Sequence, residues 1–225
     1  MREEKKKSEK LLGVIKSMPY FTVENLFSLG LGKHYIKVQL SRLKKRGEII
    51  SLKRGVYVSR SYVKDLAKDG LNVYLEFLSN ELYSPSYLST EYVLSEYNVL
   101  SEAYYGFSGV STKKTNRFTN ELGDFNYYHL KKDLFTGFDV LKDVLKKGDF
   151  YIYKATPAKA LFDYLYLRKN LIVDHSYFRE LRLNLENLRQ KDLFEFKKYL
   201  KIEGGPKMAE IYNYLHKDYY NSDQL

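Results

Sequence analysis

Cysteine is absent from the 225-residue sequence, and with it go a disulfide framework, a thiolate metal site and a cysteine nucleophile. Tryptophan is absent too, and there are only four prolines. No apolar run approaches the ~18 residues that a membrane-spanning helix needs. The basic start, Lys5-Lys6-Lys7, leads only to the short apolar stretch Leu11 to Ile15 before Lys16 interrupts it. The expectation is a soluble cytoplasmic protein without membrane contact. At 44% hydrophobic residues the chain can bury a core, and its length allows one large or two small domains.

An excess of negative charge is also lacking, and the positive excess is uneven. Residues 1–69 hold 17 Lys and Arg against 7 Asp and Glu, so the whole net charge of +10 sits there, and residues 70–225 are balanced. A basic head joined to a neutral body points to polyanion binding in residues 1–69 and another task in residues 70–225.

The head reads as three helices and a hairpin. Leu11, Leu12, Ile15 and Met18 share one helical face that ends at Pro19. Thr22 offers a cap for a short second helix carrying Val23, Leu26, Phe27 and Leu29, stopped by Gly30 and Gly32. A third helix from about Lys33 buries Ile36, Leu40 and Leu43 and ends at Gly47. Ile49 to Leu52 and Val56 to Val58 are extended stretches around a basic tip, Lys53-Arg54-Gly55. That order is the order of a winged helix-turn-helix. The third helix then faces the major groove with Tyr35, Lys37, Gln39, Ser41, Arg42 and Lys45, Arg42 suited to guanine and Gln39 to adenine, while Lys53 and Arg54 reach phosphate or the minor groove. The alternative reading of Lys37 to Arg46 is a solvated face.

Val63 to Asp69 reads as a polar linker with a break at Gly70, followed by a helix through Val73, Leu78 and Leu82 and another from a Ser89 cap to Tyr97. Short Tyr-, Phe-, Thr- and Val-rich runs then predict a small antiparallel sheet with strands Gly106 to Ser111, Asn116 to Thr119, Phe125 to Leu130, Leu134 to Val140 and Phe150 to Ala155. From Thr156, with Pro157 at the first helical position, the chain reads as helical to its end, with later helices at His175 to Leu183, Arg189 to Leu200 and Pro206 to Tyr219. The expected class is α+β: an N-terminal winged helix-turn-helix, then a mixed domain with a small antiparallel sheet and C-terminal helices.

Catalytic signatures are mostly missing. His34, His129, His175 and His216 are scattered without metal-ligand spacing, and no phosphate-binding glycine loop or nucleophile elbow occurs. No catalytic residue, metal or cofactor is expected. The enzymatic rival is a DNA-targeted metal-dependent nuclease built on Asp149 to Lys154, but no acidic residue stands two before Lys154, and Glu195-Phe196-Lys197 lies in a helical pattern. A ligand-sensing transcription factor is the other alternative. The cluster Tyr127, Tyr128, His129, Lys131 and Lys132 could stack nucleobases, but its alternation favours the two faces of a strand.

Three segments carry a resemblance: Ser84-Pro85-Ser86-Tyr87-Leu88-Ser89-Thr90-Glu91 leading into Val93 to Tyr97, Ser111-Thr112-Lys113-Lys114-Thr115, and Ala155-Thr156-Pro157-Ala158-Lys159-Ala160-Leu161-Phe162-Asp163. Together they resemble the body domain of AbiEi-like antitoxins, from type IV abortive-infection toxin-antitoxin systems. The last is similar to that family's A-T-P-x-K-A-L-x-D run, with Ala158 where an acidic residue is expected. With the head, the likeness spans about residues 10–215. It implies a non-catalytic antitoxin that represses its own operon by binding inverted repeats in promoter DNA. It also implies a body that counteracts a cognate nucleotidyltransferase toxin without needing a stable complex. Read without the family, Thr156 caps the helix, Lys159 extends to solvent and Asp163 pairs with it at i+4.

Overall fold

A computed structural model describes the backbone of residues 2–66, 68–145 and 148–222 and the side chains of residues 6–66, 70–142 and 150–220. The fold is mixed α+β. It divides into two units: Met1–Leu75 with Phe118–Asp124 and Val144–Phe150, and the remaining segments Glu76–Arg117, Phe125–Asp143 and Tyr151–Leu225.

The first unit begins with α1 (Arg2–Ser17), whose Leu11 and Ile15 are buried before Pro19 ends the apolar period. A two-residue strand β1 (Phe21–Thr22) follows, which the sequence pattern does not announce because two residues carry no period. The expected short second helix is a 3-10 helix, Glu24–Leu29. Thr22 opens it reciprocally: its amide donates to Asn25 Oδ1 (2.8 Å), and its Oγ1 accepts from the Asn25 amide (3.3 Å). The tighter winding turns Phe27 outward, 43% exposed, instead of onto the apolar face. Gly30 closes the turn at φ 71°, a left-handed value that glycine adopts freely.

Helix α2 (Lys33–Lys45) buries Ile36, Leu40 and Leu43, the stripe its sequence spacing predicts. Strands β2 (Ile49–Lys53) and β3 (Val56–Ser59) form an antiparallel hairpin with Arg54 and Gly55 at the tip, and β1 pairs with the other side of β3. Leu11, Ile15, Phe21, Leu26, Ile36, Leu40, Leu43 and Ile49 make one core.

The expected linker is largely helical. Helix α3 (Arg60–Lys64) and helix α4 (Lys68–Leu82) occupy it, and Gly70 lies inside α4 instead of breaking it. A helical glycine costs about 1 kcal/mol, which burial of Tyr74, Leu78 and Leu82 on the same helix outweighs. Ala67 lies outside the described residues.

The sheet carrying β4 (Ser86–Leu88), β5 (Phe107–Ser111), β6 (Asn116–Asn120), β7 (Gly123–His129), β8 (Phe138–Leu145) and β9 (Gly148–Ala155) has the order β6-β7-β5-β4-β9-β8. It is mixed and not purely antiparallel: β4 runs parallel to β9 and β5 parallel to β7. The short β4 went unforeseen and sits at its centre, antiparallel to β5. Gly109 lies within β5, where a Cβ would meet the Tyr87 carbonyl oxygen at 2.5 Å. The predicted strand from Leu134 begins only at Phe138, because Lys132–Leu134 turns as a 3-10 helix. Helices α5 (Thr90–Glu96), α6 (Pro157–Arg168), α7 (His175–Glu180), α8 (Gln190–Glu203) and α9 (Pro206–Ser222) complete the chain.

Candidate nucleic-acid interface

Helix α2 and the β2–β3 hairpin together wall a groove of about 470 Å³ in the first unit. Of the expected contact residues, Lys37, Ser41 and Arg54 line it; Lys33 and Lys44, which the sequence reading left out, line it as well. At about 100° per residue, positions 33, 37, 41 and 44 fall on one flank of the helix. The spacing held the signal for Lys33 and Lys44, which share a flank with the expected Lys37 and Ser41.

The same geometry separates the other expected residues. Tyr35, Gln39 and Arg42 fall on the opposite flank of α2, with Tyr35 and Gln39 half-buried and Arg42 exposed. Lys45 is exposed on the side away from the buried stripe. Lys53, at the end of β2, has its ammonium 5.5 Å from the centre of the Phe118 ring. Asn120 braces the same strand by donating to the Leu52 carbonyl (3.0 Å). Arg60 donates to the Gly47 carbonyl (2.7 Å) and to Glu121 (2.5 Å). Residues 118–124 thus support the hairpin, a role that a distance of more than sixty residues in sequence conceals.

The groove has one acidic wall residue, Glu24, which is exposed. Its own amide and the Thr22 hydroxyl hold its carboxyl below the ordinary range; slight desolvation opposes them, and Lys33 and Lys37 add to the lowering. Against this single carboxylate stand Lys33, Lys37, Lys44 and Arg54, so the groove is net cationic.

In the second unit the polar groups are largely committed to one another. Lys154 donates to Glu76 (2.6 Å) and to both oxygens of Glu96 (3.1 Å), and the Tyr92 hydroxyl donates to Glu76 (2.5 Å). Glu195 accepts from Thr156 (2.6 Å) and Tyr199 (2.5 Å). Thr156 caps α6 as expected, accepting from the Lys159 amide at 3.1 Å. Lys159, expected at the surface, is instead fully buried with Asp163, 2.5 Å away. Asp163 also accepts from Tyr87 (3.0 Å) and from Ser89 (2.8 Å), so the Ser89 hydroxyl serves this network and makes no cap to α5. Burial raises the Asp163 carboxyl against the pull of Lys159 and lowers the Lys159 ammonium.

His175 pairs with Asp218 (2.9 Å), while His129 Nδ1 lies 3.0 Å from the Lys113 carbonyl oxygen. Among the described residues no group of three or more His, Asp or Glu is placed to hold a metal ion. The side chain of Asp149, on which the nuclease alternative rests, lies outside the described residues. Tyr127 is buried and donates to the Ser79 carbonyl (2.6 Å), a core position for a candidate stacking residue. No helix is long and apolar enough to cross a membrane among the described residues. No protein-family model matches the chain, and no curated protein matches it.

Proposed function

We propose that this protein is a duplex-DNA-binding regulator whose head acts as a winged helix-turn-helix, with α2 as its reading helix and the β2–β3 hairpin as its wing. The observation that carries this reading is the groove in which Lys33, Lys37, Lys44 and Arg54 converge. A concave surface with four cations and one carboxylate suits a phosphate backbone, whose neutralisation releases counterions and drives binding. The location of the entire net charge in residues 1–69 supports the same reading.

The biological role rests on the resemblance of the three body segments. In this reading the protein is a type IV antitoxin that represses its own operon at inverted repeats, and its body counteracts a cognate nucleotidyltransferase toxin. It works without catalysis. The nuclease alternative gains nothing from Lys154, since that ammonium is held between Glu76 and Glu96 and is not free to polarise water.

The test uses the full chain, because residues 118–124 and 144–150 belong to the first unit and a fragment ending near residue 69 would lack them. Fluorescence anisotropy with labelled duplexes should show binding that falls steeply with salt. Lys37→Ala and Arg54→Ala should each weaken every duplex alike and shrink the salt slope by about 1. Absence of duplex binding at low salt refutes the reading, and Mg²⁺-dependent cleavage of the probe favours the nuclease. Relief of toxin-induced growth arrest by the Lys37→Ala, Arg54→Ala double variant would separate neutralisation from repression.

A further inference from the structure

A groove built for a polyanion has no electrostatic use for a carboxylate, yet Glu24 stands in its wall. Its local partners are its own amide and the Thr22 hydroxyl, in the first turn of the 3-10 helix. The side chain is exposed, and among the described residues no cation lies within ion-pair distance of it. Its backbone position is set, because it opens the 3-10 helix whose start is locked by the reciprocal Thr22 and Asn25 bonds. Lys33 and Lys37, which line the same groove, supply ample attraction for phosphate, so the carboxylate subtracts from non-specific binding.

What an ionised carboxylate offers is acceptor oxygens. Phosphates present acceptors only and are repelled, whereas the major-groove edge of cytosine presents an exocyclic amino donor. We propose that Glu24 is a specificity-determining residue of the groove, accepting a hydrogen bond from the N4 amino group of a cytosine and penalising duplexes that place an acceptor there, such as thymine O4 or guanine O6. This rests on the DNA-binding reading and deepens it: the lysines supply affinity, and Glu24 converts part of it into discrimination.

The experiment is a cycle between protein and base. Selection from a randomised duplex pool with the full-length protein gives a preferred site, and each C·G pair in it is replaced by T·A in turn. For the wild type, one of these replacements should weaken binding about tenfold or more. For Glu24→Ala the same replacement should cost nothing, while affinity for random duplex rises about threefold and the salt slope steepens by up to about 0.9. Equal sensitivity of both proteins to every replacement overturns the inference and leaves the DNA-binding reading intact. So does a variant that melts lower with its discrimination unchanged, which would mean that the carboxylate only braces the 3-10 helix. If the wild type binds no duplex at low salt, the functional reading falls and this inference falls with it.

Discussion

Replacing Asp163 by Leu should be among the most damaging single changes in this chain. Both its oxygens are used: Oδ1 accepts from Lys159 and Oδ2 from Tyr87 and Ser89, and the pair with Lys159 is fully buried. The substitution strands an ammonium among aromatic rings, with Phe162 at 4.9 Å and Tyr199 at 5.0 Å, and leaves two hydroxyls without their acceptor. Breaking one side of a buried pair costs about 3–5 kcal/mol. For a chain of this size that corresponds to a loss of roughly 6–20 °C in melting temperature. Because the chain lacks tryptophan, urea unfolding followed by tyrosine fluorescence is a clean readout. The double variant Lys159→Met, Asp163→Leu removes the stranded charge and should recover at least about 2 kcal/mol relative to additivity. The pH dependence has a definite sign. Burial already lowers the Lys159 pKa, and loss of its partner lowers it further, so the native state sheds a proton that the unfolded state keeps. The single variant should therefore regain stability relative to wild type as pH rises toward the ordinary lysine range. Additive single-variant costs, or a loss below about 1 kcal/mol for Asp163→Leu, would refute the view that this network is a closed buried unit.

Two further expectations follow from the same unit. Gly109→Ala forces a methyl to within 2.5 Å of the Tyr87 carbonyl oxygen, a backbone atom that cannot step aside, so the β4–β5 pair must shift at a cost of about 1–3 kcal/mol, measurable as a lower urea midpoint. Burial raises the Glu96 carboxyl above its ordinary 4.5, with Lys154 opposing and Glu76 reinforcing, so the folded state holds a proton that the unfolded state has released. Stability should decline as pH rises from about 4.5 until the folded carboxyl ionises, and Glu96→Gln should flatten that decline in urea midpoints taken across the window; an unchanged slope would show that Glu96 titrates normally.

How much of this was legible in the sequence depends on the range over which each feature is determined. The buried stripe Ile36, Leu40 and Leu43, the hairpin around Arg54 and Gly55, and the Thr156 cap followed by Pro157 all come from interactions within a few residues, and local spacing reveals them. At the groove, Lys37, Ser41 and Arg54 were legible as polar residues of the right elements. Their separation from Tyr35, Gln39 and Arg42 was not seen, because a helical period says which face is buried and leaves open which remaining flank meets the hairpin. That choice is set by the packing of α2 against β2. Glu24 was missed for the same reason, since it enters the groove only through the turn that joins its 3-10 helix to α2.

The Lys159 and Asp163 pair shows the limit most sharply. At i and i+4 on a helix, a lysine and an aspartate ordinarily describe a solvated face. The surrounding apolar residues Ala158, Ala160, Leu161, Phe162 and Leu165 are buried all round α6, so the helix has no solvated face in that turn to give them. A helix that is apolar on every side must bury whatever polar residues it carries, and a buried charge must find partners. Those partners, Tyr87 and Ser89, lie more than seventy residues away, on β4 and just beyond it. The apolar circumference of α6 was thus the readable warning that Lys159 does not reach solvent. The same requirement for partners explains why the Ser89 hydroxyl leaves the helix start where local pattern placed it: a buried carboxylate needs donors, and it outcompetes an amide at the end of a short helix.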